Sequence, residues 1–220
     1  MYRTRRSISI KEIPWFTVVV VLINVIVWIR FAWWKENDII SYLRYGYQYI
    51  LKVDSVVKNH DYITLLTSAF MHFEFEHMLN NVILIAYAGG FLENKIGTIR
   101  YALLYLGGAI LANVVSVFWY TNMHQGNTMS LGASGAGFAI IGSLIYYYVT
   151  DPELRNTSNA IGFIVLAMYS LVRGFQRENV NNSAHVGGLL AGFILSMLFA
   201  IVRDIFQNKK RQSNYHENWR

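Results

Sequence analysis

Six stretches of the chain are apolar enough to be read as units. The first starts at Pro14 and runs through WFTVVVVLINVIVWI to Arg30, with Trp33-Trp34-Lys35 just beyond. It is about 20 residues long, enough to cross ~30 Å of hydrocarbon. The others cover residues 75–92, 99–120, 134–149, 160–172 and 184–202, the fifth shortened by Ser170 and Arg173. Weak one-sidedness is expected within such runs, because a face on lipid and a face on another helix are both apolar. The pattern predicts an all-α membrane protein, a bundle of six transmembrane helices spanning residues 14–203. Residues 1–13 precede it and a basic tail, 204–220, follows.

Residues 35–74 break the pattern. They mix Lys35, Glu36, Asp38, Arg44, Lys52, Asp54, Lys58 and Asp61 with Tyr42, Tyr45, Tyr47 and Tyr49. Aromatic rings with a polar tip favour the edge of a bilayer, so this stretch is expected to be a long outer loop lying partly in the interface. The first run has no small-residue cleavage site after it and is expected to stay as a signal-anchor helix. Lys and Arg are densest at both ends of the chain, around Arg3, Arg5, Arg6 and Lys11 and around Lys209-Lys210-Arg211. That bias predicts both termini in the cytoplasm, with the tail against anionic lipid.

Composition narrows the function. Charged residues make up only 15% of the 220, against about 25% in a soluble domain. The net charge of +6 is explained by topology without a nucleic-acid partner. The absence of cysteine excludes disulfides, thiolate metal sites and a cysteine nucleophile. There is no H-E-x-x-H, and His72 and His77 stand five apart, poorer than the i, i+4 spacing of a shared helix face; neither a metal nor a cofactor is expected. A bacterial plasma membrane is the expected location.

With six spans and an inner N-terminus, the second, fourth and sixth helices all begin on the outer side. Their starts carry His77 and Asn81, then Ser134, then His185. Polar residues at membrane depth are functional hypotheses by default. Ser134 offers a hydroxyl at a helix N-terminus, where free N–H groups favour developing negative charge. His185 is a general base with a pKa near neutrality, and His77 and Asn81 can donate to an oxyanion. Glu93 lies about 24 Å along the helix from His77, too far to complete a triad, so the reading is a Ser–His dyad. His185, Gly188 and Gly192 share one helix face, and that bare face lets the fourth and sixth helices approach closely.

These residues carry a resemblance. His77-x-x-x-Asn81, Gly132-Ala133-Ser134-Gly135 and Ala184-His185-x-x-Gly188-x-x-x-Gly192 stand in the order and spacing of the rhomboid intramembrane serine proteases. The chain resembles that family over roughly residues 60–200, and Thr67–His72 and Gly89–Glu93 match further family patterns to which structural roles are assigned. The resemblance implies that Ser134 attacks, that His185 is the base, and that His77 and Asn81 help bind the oxyanion. It also implies a substrate with a small residue before the scissile bond in or beside a transmembrane segment. Two positions depart from the family. Ile63-Thr64 stand where Trp-Arg is common, which bears on how the first outer loop is braced. Phe138 replaces a tyrosine that would stack on the histidine, so packing more than hydrogen bonding is left to orient the ring. A non-catalytic rhomboid-like protein that binds and escorts membrane helices is the alternative reading. A small transporter using the polar residues as a path is the weakest, since no internal repeat is present.

Overall fold

The computed structural model describes residues 13–32, 44–155 and 180–217, with isolated positions at 161, 162, 165 and 169; from 208 onward it describes backbone alone. The run expected at 160–172 lies largely outside the described residues. The other five apolar runs all form helices. These are α1 (Trp15–Phe31), α4 (Phe75–Leu84) with α5 (Gly90–Ile96), α6 (Thr98–Asn122), α7 (Ser134–Thr150) and α9 (Asn182–Glu217). Between them lie the short helices α2 (Val53–Asn59), α3 (Thr64–Thr67) and α8 (Pro152–Arg155). Helix α6 and the Asn182–Gln207 part of α9 are long and apolar enough to cross a membrane. Helices α1 and α7, at 17 residues each, rise about 25 Å, the short end of spanning lengths.

Two helices exceed their apolar runs. α4 and α5 form one rod to Ile96 through a π-helical turn at Ile85–Gly89. The Tyr101 hydroxyl occupies the space that a Cβ at Gly89 would need. Past Leu92, Glu93 and Lys95 are matched within the fold, so they do not end the rod. Lys95 Nζ lies 2.6 Å from Asp151 Oδ2 just after α7, and this hydrogen bond holds the Asp151 carboxyl below the usual carboxylate range. Helix α9 runs 36 residues, to Glu217 and through the expected tail. Neither glycine nor proline occurs in it after Gly192, so nothing in the backbone stops it.

The segment expected as an outer loop is more ordered than a loop. A 3₁₀ turn at Tyr47–Tyr49 leads into strand β1 (Leu51–Lys52), which pairs antiparallel with β2 (Met129–Ser130) in the register Leu51↔Ser130 and Lys52↔Met129. The stitching continues as Val53 N–H donates to the Thr128 carbonyl (3.1 Å) and Asp54 N–H to that of Gly126 (2.9 Å). Beneath it Leu51, Val53 and Val56 pack with Val117 of α6, and the Lys52 ammonium sits 3.6 Å from the centre of the Tyr47 ring.

Helices α7 and α9 touch backbone to backbone. A Cβ at Gly188 would strike the Gly135 carbonyl, one at Gly192 the Ala139 carbonyl, and one at Gly142 the Leu189 carbonyl. Small residues at helix contacts permit such approach. Lower in the seam the Ser196 hydroxyl donates to Ser143 Oγ at 2.6 Å, both residues fully buried.

Helix α1 is anchored by a carboxylate from another helix. Pro14 precedes it, and its first amides have no carbonyl behind them. Glu93 of α5, 2% exposed, fills that place. It accepts from Phe16 N–H (3.0 Å), Thr17 N–H (2.8 Å), the Thr17 hydroxyl (2.8 Å) and the Thr98 hydroxyl (2.8 Å). A carboxylate at a helix N-terminus satisfies both the free donors and the helix dipole. Glu93→Ala is therefore expected to cost about 3 kcal/mol, with Glu93→Gln in between, measured as the thermal unfolding midpoint in detergent. An unchanged midpoint would show that the cap is dispensable.

Candidate active site

Three helix starts converge, and the sharpest turn precedes α7. Gly132 has φ +123°, a backbone conformation that side chains rarely adopt. Its N–H donates to the Ser68 carbonyl at 2.9 Å. A Cβ there would lie 2.8 Å from both Cε1 and Nε2 of His77. Ala133 follows, fully buried, its N–H donating to His72 Nε2 at 3.2 Å. Ser134 is the first residue of α7. The first hydrogen bond back into the turn is Gly137 N–H to the Ala133 carbonyl, so the amides of Ser134, Gly135 and Ala136 are first-turn donors at the positive end of the helix.

Helix α9 begins with a side-chain cap. Asn181 Oδ1 accepts from Ala184 N–H (3.0 Å) and from the Ser183 hydroxyl (2.7 Å). Its Nδ2 donates to Ser116 Oγ on α6 (2.7 Å) and Ser130 Oγ on β2 (2.8 Å). One residue thus starts the helix and fixes that start against the strand leading to Ser134. His185 lies in the first turn, 8% exposed, with Nε2 2.9 Å from Ser134 Oγ. Its ring stacks on Phe138, centroids 4.4 Å apart and planes 26° off parallel. Its Nδ1 is buried with no hydrogen-bond partner among the described residues. Stacking is what orients this imidazole, and with the proton on Nδ1 its Nε2 is free to accept from the hydroxyl.

Helix α4 supplies the rest. His77 is its third residue and Asn81 lies one turn later, 6% exposed. Asn81 Nδ2 is 2.9 Å from the His77 carbonyl and 3.1 Å from His72 Nε2. The His77 and His72 rings meet edge to face with centroids 5.0 Å apart. Of the four residues singled out in the sequence, Ser134 and His185 are in direct contact and His77 lies against the glycine two before the serine. Asn81 is joined to Ala133, the residue before the serine, through His72. Glu93 is engaged at the start of α1.

Spacing along a helix misjudged His72. Helix α4 starts at Phe75, so His72 precedes it and folds back toward His77, where i, i+5 arithmetic has no meaning. It is 1% exposed. Burial, and after it the neighbouring His77, push its pKa down to about 3. Asn181 was also passed over, although Asn181-Asn182-Ser183 before an apolar run is an N-cap signal.

The Rhomboid domain profile matches residues 59–201, a span containing every residue of the site. The rhomboid protease GluP of Bacillus subtilis is 29% identical over 142 residues, 64% of this chain and 27% of GluP. YdcA of the same organism is 30% identical over 142 residues, 64% of this chain and 69% of YdcA. Rhomboid-like protease 1 of Toxoplasma gondii is 31% identical over 143 residues, 61% of this chain and 46% of that protein. The chain thus spans about a quarter of GluP and just under half of the Toxoplasma protease.

Two outcomes are expected from the site's construction. Gly132→Ala puts a methyl group into the His77 ring and strains the backbone by about 1–3 kcal/mol. Labelling of Ser134 by a fluorophosphonate should slow at least about tenfold; an unchanged rate would mean the turn has slack. His72 is neutral in the folded protein but takes up a proton when unfolded below about pH 6.5. Its contribution is therefore intact above that pH and is lost progressively as the pH falls toward about 3. The stability advantage of the wild type over His72→Gln should shrink across that window, followed by thermal unfolding at stepped pH.

Proposed function

The chain belongs to the rhomboid family, and from that premise we propose that it is an intramembrane serine endopeptidase. It hydrolyses peptide bonds in or next to transmembrane segments of other membrane proteins. The observation that carries this reading is the 2.9 Å approach of His185 Nε2 to Ser134 Oγ, at a helix N-terminus rich in free donors. Relatives named as proteases in Bacillus subtilis and Toxoplasma gondii support it at the level of the family.

In this mechanism Ser134 Oγ attacks the scissile carbonyl carbon while its proton passes to His185 Nε2. The carbonyl oxygen becomes an oxyanion facing the Ser134 amide and the α4 side, where His77 and Asn81 stand; a positioned donor of this kind is worth about 10²–10³ in rate. His185 then returns the proton to the leaving amine, and an acyl-serine remains. Water, deprotonated by the same Nε2, attacks the ester, and collapse restores the serine and releases the new carboxyl end. His185 works as half of a dyad, with Phe138 holding the ring face.

A substrate helix has its amides bonded and its carbonyls shielded, so the cleaved segment must first unwind. Gly, Ser or Pro near the bond lowers that cost. The crowding of Gly132, Ala133 and Gly135 around the nucleophile favours a small residue before the cut. The chain works as a multi-pass membrane protein of six spans with both termini cytoplasmic, and water enters from the outer face near residues 120–131.

Purified wild-type protein in detergent should cut a transmembrane substrate, and Ser134→Ala should lose at least about 10³-fold in kcat. Equal cutting by the two proteins would refute the assignment.

A further inference from the structure

His72 has no part in the chemistry just described, yet more of the site's hydrogen bonding passes through it than through any residue of the dyad. A backbone N–H can only donate, so the 3.2 Å contact from Ala133 N requires a bare lone pair on His72 Nε2 and the proton on Nδ1. That choice fixes the Asn81 amide as well. Both groups facing it, His72 Nε2 at 3.1 Å and the His77 carbonyl at 2.9 Å, are acceptors. The NH₂ must face them, and both its hydrogens are committed. The two contacts, at 3.2 and 3.1 Å, share the one Nε2 lone pair.

We propose that His72 is the positioning residue of the turn that carries the nucleophile: its Nε2 holds Ala133 and ties up Asn81, leaving the Ser134 amide and the His77 ring as donors free to meet the oxyanion in the resting enzyme. Ala133 adjoins Ser134 and follows Gly132, which has no side chain to brace it. A shift of the Ala133 amide is therefore a shift of the attacking oxygen. Asn81 joins the oxyanion only by releasing His72 or the His77 carbonyl. His72 touches no reacting atom and acts through Ala133 and Asn81. The inference rests on the protease reading for its meaning, but not for its test.

Two polar replacements separate positioning from space filling. In His72→Gln the side-chain oxygen reaches about as far as Nε2; in His72→Asn it reaches only as far as Nδ1. Full-length proteins in detergent are compared for cleavage of a transmembrane substrate, for the rate of fluorophosphonate labelling of Ser134, and for folding by thermal unfolding. His72→Gln should keep kcat within about threefold of wild type. His72→Asn should lose about 30-fold in kcat with KM within about twofold, as a misplacement near 1 Å does, and labelling should slow in parallel. Wild-type kcat in His72→Asn, or equal losses in both variants, overturns the proposal. If His72→Asn does not fold, His72→Gln decides alone: kcat within threefold supports the proposal and a tenfold loss overturns it. Should the wild type show no Ser134-dependent cleavage, the protease reading fails instead, and the labelling rates of the two variants still decide on His72.

Discussion

The distance between α7 and α9 governs everything else in the molecule. A hydroxyl and an imidazole on separate helices reach 2.9 Å only because the helices meet at Gly188, Gly192 and Gly142, each set against a carbonyl of its neighbour. In a bilayer, lipid tails are as apolar as leucine, so helices gain little from hiding apolar surface from each other. Close packing and hydrogen bonds must hold them together. The glycine contacts provide the packing, and the Ser196–Ser143 bond adds a polar clasp below. The Ser134–His185 pair sits at one end of a seam whose width is set by missing side chains.

Three polar residues in this low-dielectric setting each gather a matched set of partners, which offsets the cost of placing them in hydrocarbon. Glu93 gathers four donors from α1 and α6. Asn181 joins α6, β2 and α9. Asn113 donates to Ser68 Oγ and to the Leu65 carbonyl, so α6 also holds the segment whose Ser68 carbonyl receives Gly132. Each set bridges elements far apart in sequence. Together they convert a bundle of apolar rods, which could slide, into one with a defined register.

Much of this was legible beforehand because it depends on local rules. Five of the six apolar runs are helices among the described residues, and the glycine spacing on one face of the 184–202 run anticipated the α7–α9 contact. The starts of three helices placed Ser134, His77 and His185 together, and helix rise alone set Glu93 apart from them. What was missed depends on chain reversals. His72 was judged by helical spacing although it lies outside the helix. Residues 44–67 were expected as a loop, because two-residue strands and one- or two-turn helices leave no periodic trace; β1 exists only through its partner 78 residues on. The length of α9 was missed for another reason. A charged tail looks like an end, but helix continuation depends on backbone-breaking residues, and none is present.

The π turn at Ile85–Gly89 resets the phase of the rod that contains it. Asn81 and Glu93 are twelve positions apart, which in an unbroken α-helix would point them about 120° from each other. One surplus residue in the wide turn takes back about 100°, so both emerge on nearly the same azimuth. Both are in fact buried, at 6% and 2% exposed, one toward His72 and one under α1. A rod of regular pitch would turn one of these two polar side chains about 100° away from its present partners. The local winding defect is therefore what lets a single rod meet His72 near one end and the start of α1 near the other.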